Sequence, residues 1–201
     1  MGKNYDALHY IQKQLQEFDQ GLTNAVQRLF NIEDQAKESQ GCVIDSVAMQ
    51  LLFKKFGIQA DIHIGEICAD GNQDAYHCWL TVNDRLIDIG IYGNSNYNPY
   101  YCGPRLNRPI SMEEFSSFQS LIYAEGSTEV SGSWLAELSE KYIVDYIAHC
   151  PQDRVCHLVC KSLNISYNQE NRRMIRDLGA GLKFPKLKKL MISPSGKSGE
   201  R

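Results

Sequence analysis

The sequence predicts an α+β fold, in which N-terminal helices pack on a small antiparallel sheet and the C-terminal half is helical. Apolar residues recur at helical spacing as far as residue 56, and they alternate with polar residues between 59 and 89. Helical spacing returns after residue 111. With 43% hydrophobic residues, a chain of 201 residues can bury one core.

Three helices are predicted before the sheet. Apolar residues fall on one stripe over residues 5–18 and on a second stripe over 22–32. The third helix is expected over 42–56, because Gly57 stands where glycine commonly follows a helix end. This third segment is apolar on most sides, which predicts a helix largely buried in the core.

The sheet is predicted from three alternating segments. Residues 59–66 and 75–82 alternate apolar with polar side chains, which is typical of half-buried strands. The pair Asn83-Asp84 suits a two-residue hairpin turn, and residues 85–89 form the return strand.

The second half of the chain is predicted to begin with a long loop over 93–109, rich in Gly, Asn, Tyr and Pro. Four tyrosines in or next to this loop are interpreted either as aromatic cover over a small core or as a wall of a substrate cleft: Tyr92, Tyr97, Tyr100 and Tyr101. Four helices are expected after it, at about 111–118, 133–149, 153–164 and 168–178.

Composition excludes several classes of protein. Charged residues make up 22% of the chain, which is typical of a globular protein. No apolar run approaches the roughly 18–20 residues that a transmembrane helix needs. The first residues lack a signal-peptide pattern, so we expect a cytoplasmic location and free thiols for the seven cysteines.

Charge is distributed unevenly along the chain. The net charge is −3, yet residues 171–201 carry nine Lys or Arg against Asp177 and Glu200, a local charge of +7. We predict one domain over 1–182 and a basic, flexible tail over 183–201, whose deletion from residue 186 onward leaves folding intact. The tail is a candidate contact for an anionic partner, but nucleic acid is not an expected partner.

Cys42 is the candidate nucleophile. A thiol attacks as its thiolate, and a free cysteine ionises only at about pH 8.5. The first turn of a helix favours the thiolate, because unpaired N–H groups and the helix dipole lie there. Cys42 stands at the predicted start of the third helix, directly after Gly41, whose missing side chain lets a substrate backbone come close.

His77 and Asp88 are the candidate base and its orienting partner. His77 lies on a predicted strand between aromatic residues. If Asn83-Asp84 forms a two-residue turn, Asp88 lies opposite Trp79 and on the same face of the sheet as His77. This arrangement is that of a catalytic triad, with the nucleophile on a helix, the base on one strand and the orienting carboxylate on the next strand.

These residues resemble the transglutaminase-like (papain-like) superfamily. The resemblance lies in GCVIDSVAMQLLFKKFGIQADIHIG, HCWLTV and RLIDIG, which span about residues 40–92. The Cys-x-x-x-Ser start and the Leu-Leu-Phe-Lys-Lys-Phe-Gly-Ile stretch are similar to leader peptidases of lasso-peptide synthesis. The resemblance implies Cys42 as nucleophile, His77 as base and Asp88 as orienting residue.

The function that the resemblance implies is a thiol-dependent hydrolase of amide bonds in peptides or proteins, working through an acyl-enzyme without a cofactor. The alternatives are an acyltransferase with an amine acceptor and an inactive binding module on the same scaffold. Candidate oxyanion and substrate contacts are Gln40, Gly41, Trp79 and Tyr92.

A second group of polar side chains offers an alternative site. Five potential zinc ligands fall within twelve residues: His149, Cys150, Cys156, His157 and Cys160. The absence of a Cys-x-x-Cys pair and the apolar residues between them favour buried cysteines, so no metal is predicted.

Overall fold

A computed structural model describes residues 15, 17–36, 41–68, 75–88, 122–131 and 133–191. In these residues, six α-helices accompany one four-stranded antiparallel sheet with the strand order β3-β2-β1-β4. The predicted α+β class is confirmed. Among the same residues, no helix has both the length and the apolar character needed to cross a membrane.

The two helices before the sheet agree with the sequence pattern. Helix α1 runs over Gln20–Ala36 and helix α2 over Cys42–Lys55. Most residues of α2 are buried, because the helix lies between the sheet and the C-terminal helices. The helix predicted over 5–18 lies almost entirely outside the described residues.

The sheet carries the predicted hairpin. Its strands are β1 (Asp61–Cys68), β2 (Ala75–Val82), β3 (Arg85–Ile87) and β4 (Ile122–Glu125). Leu80 pairs with Ile87 and Val82 with Arg85, as the two-residue turn requires. Asn83 and Asp84 both have positive φ, of 50° and 60°, which is the backbone of a type I′ turn.

Four helices follow the sheet: α3 (Trp134–Leu138), α4 (Ile143–His149), α5 (Arg154–Leu163) and α6 (Gln169–Gly179). The single helix predicted over 133–149 is therefore wrong. The chain turns at Glu140, where φ is 60°, and Tyr142 pairs with Lys183 before α4 begins. The helix predicted over 111–118 lies outside the described residues.

Strand β4 was not predicted, and a glycine on β1 allows it to approach. A Cβ atom at Gly65 would lie 2.0 Å from the carbonyl oxygen of Ala124, so no other residue fits there without movement of β4. Gly65 pairs with His77 on its other side. Gly65 thus lets β4 pack closely on β1, whose other neighbour is β2, the strand that carries His77.

The start of the predicted flexible tail is ordered against the rest of the domain. We name residues 182–190 the C-terminal strap. Phe184 and Leu187 are buried, and Phe184 meets the ring of Tyr146 edge-on at 5.6 Å. Hydrogen bonds from Ser127 N to Lys188 O and from Leu190 N to Ser127 O tie the strap to the segment after β4.

The expectation that residues from 183 onward form a flexible tail needs correction at its beginning. The pattern of basic residues hid the apolar ones, which face the core while the lysines face solvent. The division of the chain into domains otherwise stays a prediction, and residues 192–201 lie outside the described part.

Truncation after Pro185 is therefore expected to lower the free energy of unfolding by about 2–5 kcal/mol, because it removes the buried Leu187 and the hydrogen bonds to Ser127. Urea denaturation of the full and truncated chains measures this. Lys186→Ala and Lys189→Ala, at exposed positions, are controls that should change stability by about 0.5 kcal/mol at most. An unchanged midpoint after truncation would show that the strap adds nothing.

Candidate active site

Cys42 begins helix α2 and is buried beside the sheet. Gly41, the residue before the helix, has φ of 96° and ψ of 139°, a conformation that favours glycine. A Cβ atom built on Gly41 would have no heavy atom of the described residues within 4 Å. The first N–H groups of a helix have no partner inside the helix, so they point towards whatever binds at this end.

Ser46 holds the start of α2 against β2. It lies one helical turn after Cys42 and therefore on the same side of the helix. The buried Ser46 hydroxyl donates a hydrogen bond of 2.9 Å to the carbonyl oxygen of Cys78. Because Cys78 follows His77 on the strand, this bond fixes the position of Cys42 relative to His77.

His77 and Asp88 form a buried pair. The Nε2–H group of His77 donates to Oδ2 of Asp88 at 2.7 Å, and the two side chains are 0% and 3% exposed. Asp88 follows Ile87, the partner of Leu80, so it lies opposite Trp79 as the hairpin predicted. The turn therefore determines which strand position meets the histidine.

Three influences set the pKa of His77. Burial lowers this pKa, whereas the charges of Asp88 and of a Cys42 thiolate, with side-chain hydrogen bonds to both residues, raise it to about 10. Asp88 takes up Nε2, one of the two ring nitrogens. A pKa of about 10 keeps the imidazole protonated at neutral pH.

The other described cysteines lie in different surroundings. Five described cysteines are free thiols, and all five are buried. Burial raises the pKa of Cys78, Cys150 and Cys160. Burial and the neighbouring carboxylate of Asp153 together raise the pKa of Cys156 to about 12. These four thiols are held in the neutral, unreactive form at physiological pH.

Tyr123, on β4, is a member of the site that the sequence did not reveal. Its hydroxyl donates to Oδ2 of Asp88 at 2.8 Å, the same oxygen that accepts from His77. Its ring lies 5.2 Å from that of Trp79 and 6.3 Å from that of His77. Asp88 is thus held by a histidine from β2 and a tyrosine from β4.

The family comparison matches this part of the chain. A model described as the transglutaminase-like superfamily matches residues 11–102. Residues 11–102, a little under half of the chain, are thus similar to the transglutaminase-like superfamily. The comparisons with curated proteins and with solved structures gave no significant match.

The matched segment holds Cys42, His77 and Asp88, and members of this superfamily are usually cysteine-dependent enzymes. It ends at residue 102, so Tyr123 lies beyond it. No sequence signal marks Tyr123, because β4 is only four residues long and its position depends on pairing with a strand more than fifty residues earlier.

The predicted substrate contacts fall in different places. Gly41 lies beside Cys42, and Trp79 is 3% exposed, with its ring stacked at 6.3 Å from that of His77. Trp79 therefore packs behind the histidine, and a contact with substrate stays a prediction. Gln40 and Tyr92 lie outside the described residues, as do the other loop tyrosines Tyr97, Tyr100 and Tyr101.

The alternative zinc cluster does not assemble. Within the part of the chain that the structure describes, no three His, Cys, Asp or Glu side chains are grouped to hold a metal ion. His149 is exposed and its Nδ1 meets the carbonyl oxygen of Asp145, while His157 stacks on Tyr167 at 3.6 Å. The three cysteines of this region are buried in the core instead.

Tyr123→Phe keeps the aromatic ring but removes the hydrogen bond to Asp88. We expect it to lower the free energy of unfolding by about 1–3 kcal/mol, because the acceptor is a buried carboxylate. Tyr76→Phe is the matched control, since the Tyr76 hydroxyl binds the exposed Glu129, and its effect should be under about 1 kcal/mol. Equal effects of the two changes, measured by chemical denaturation, would contradict a special role for the Asp88 contact.

Proposed function

We propose that the protein is a thiol-dependent amide hydrolase in which Cys42 is the nucleophile, His77 the general acid and base, and Asp88 the residue that orients His77. The observation that carries this proposal is the buried hydrogen bond from His77 Nε2 to Asp88, together with the hydrogen bond and charge by which Cys42 raises the pKa of the same ring. Such an order of three groups suits acyl transfer through a covalent intermediate.

In the first step, the Cys42 thiolate attacks the carbonyl carbon of an amide. The backbone N–H of Cys42, at the start of α2, is the proposed donor to the oxyanion. When the C–N bond breaks, the His77 imidazolium gives its proton to the leaving amine. The products of this step are a Cys42 thioester and a neutral His77.

In the second step, a water molecule attacks the thioester. His77 takes one proton from that water, the C–S bond breaks, and the carboxylic acid product leaves. The Cys42 thiolate and the His77 imidazolium are then restored. Through both steps, the hydrogen bond to Asp88 Oδ2 keeps the His77 ring in its orientation. The Tyr123 hydroxyl donates a second hydrogen bond to the same Asp88 oxygen.

The surroundings of Cys42 support an approach of substrate from the side of Gly41. Among the described residues, none comes within 4 Å of a Cβ atom built on Gly41, which leaves room for a polypeptide backbone next to the start of the helix. An amine in place of water would make the same thioester the intermediate of an acyltransferase.

Alkylation with limiting iodoacetamide at pH 6 tests the proposal. We expect Cys42 to react faster than Cys78, because the His77 imidazolium stabilises the Cys42 thiolate while burial keeps Cys78 neutral. His77→Ala should slow the labelling of Cys42 at pH 6 by about 10- to 100-fold. Peptide mapping by mass spectrometry measures both thiols in one sample.

The matched control is His149→Ala, which removes an exposed histidine and should leave the labelling rate unchanged. Asp88→Asn should affect labelling less than His77→Ala, but it should slow turnover of p-nitrophenyl acetate by about 10²–10⁴-fold. Equal labelling of Cys42 and Cys78, with no effect of His77→Ala, would contradict the catalytic role and leave a binding module on this scaffold.

A further inference from the structure

A groove of about 740 Å³ runs along the beginning of β1, outside the triad. Its walls come from the end of α2, the first residues of β1 and the C-terminal strap, with Gln50, Lys54, Ile62, His63, Glu125 and Lys183 among its lining residues. This volume lies within the usual range of about 300–1,000 Å³ for ligand sites. The catalytic proposal assigns no role to the groove.

Among the described residues, no strand pairs with the edge of β1 where it borders the groove. Strand β4 pairs with β1 only from Glu66 onward, apart from a bridge at Gly65. In that bridge, Ile64 O accepts a hydrogen bond from Gly126 N, so the backbone groups of Ile64 point away from β2. Alternate residues of a strand point their N–H and C=O groups to the same side, so those of Ile62 also point away from β2.

No hydrogen bond in the described part of the chain uses these Ile62 groups, and the groove lies against them. One more polar atom in the groove wall lacks a partner among the described residues. Gln50 is 5% exposed and donates through Nε2 to Ala60 O, while its Oε1 has no hydrogen-bond partner. Unpaired strand edges are sites where another extended chain can add as a strand.

The charged side chains around the groove are already engaged within the chain. Glu125 contacts both His63 and Lys188, and Asp61 accepts a hydrogen bond from Gln59. The other two cations of the wall make their contacts elsewhere, Lys54 to Ala180 O and Lys183 over the ring of Tyr142. The groove therefore presents backbone N–H and C=O groups of β1 to a ligand rather than an unpaired charged side chain. This favours a neutral, extended polypeptide as the ligand.

The groove lies close to the triad. The ring of His63, in the groove wall, is 5.7 Å from that of Trp79, and the Trp79 ring is 6.3 Å from that of His77. The two histidine rings are thus at most about 12 Å apart. At about 3.3 Å per residue, an extended peptide covers this distance in roughly four residues.

We propose that the Ile62 edge of β1 binds the substrate polypeptide as an added strand, about four residues from the amide that Cys42 attacks. This inference rests on the proposed function. It deepens that function by naming the substrate class, an extended peptide recognised through its backbone rather than a small amide or a folded surface.

Two series of thiol-reactive peptides of opposite direction test the proposal: N-bromoacetyl-(Ala)n-amide and N-acetyl-(Ala)n chloromethyl ketone, with n from one to six. In one of the two series, the rate of Cys42 alkylation should rise about tenfold once the peptide reagent is long enough to reach Ile62 and form two hydrogen bonds with its backbone. N-methylation of the single alanine that pairs with Ile62 should remove this gain. Bromoacetamide serves as the reagent without a peptide.

Hydrogen exchange, measured by NMR on the full chain, identifies the place of binding. The Ile62 amide should exchange rapidly in the free protein and slowly in the adduct with the longest reactive peptide. The His63 amide, which points to β2, is the internal control and should be slow in both states.

Each outcome decides the proposal. If neither series depends on length, or if the Ile62 amide is not protected, the groove is not the peptide site. The proposed function still stands in that case, provided that bromoacetamide labels Cys42 selectively. If bromoacetamide does not prefer Cys42, the proposed function and this inference both fail.

Discussion

The hydrogen bond between His77 and Asp88 is the constraint on which the site depends. It is buried, and it takes up Nε2, one of the two nitrogens of the ring. A buried carboxylate without a partner is costly, so the bond also binds β3 to β2 at the end of the hairpin. The Tyr123 hydroxyl, from β4, donates to the same carboxylate oxygen of Asp88. Strands β2 and β4 are thus both linked by hydrogen bonds to this one acceptor.

Local rules explain the parts of the site that the sequence could predict. The two-residue turn at Asn83-Asp84 determines the register, so the sequence pattern alone places Asp88 on the face of His77. The start of α2 at Cys42 and the end of that helix before Gly57 follow from the same kind of local pattern. Such rules concern residues that are close together along the chain.

The parts that could not be predicted depend on distant contacts. Strand β4 has four residues, and its place beside β1 follows from the close approach that Gly65 allows. The strap has the composition of a basic tail, because its buried residues Phe184 and Leu187 are separated by exposed lysines. Through Ser127 and Lys188, the strap holds the segment after β4, so the end of the described chain supports the strand that carries Tyr123.

The protonation state of His77 is the most direct test of the account, because the proposed mechanism requires an imidazolium ring next to Cys42 and Asp88. NMR titration of the His77 ring nitrogens, from pH 5 to 11, measures it without a substrate. We predict that the ring stays protonated through neutrality and titrates with a pKa of about 10. Titration near the ordinary value of about 6.5 would contradict an imidazolium held between Cys42 and Asp88.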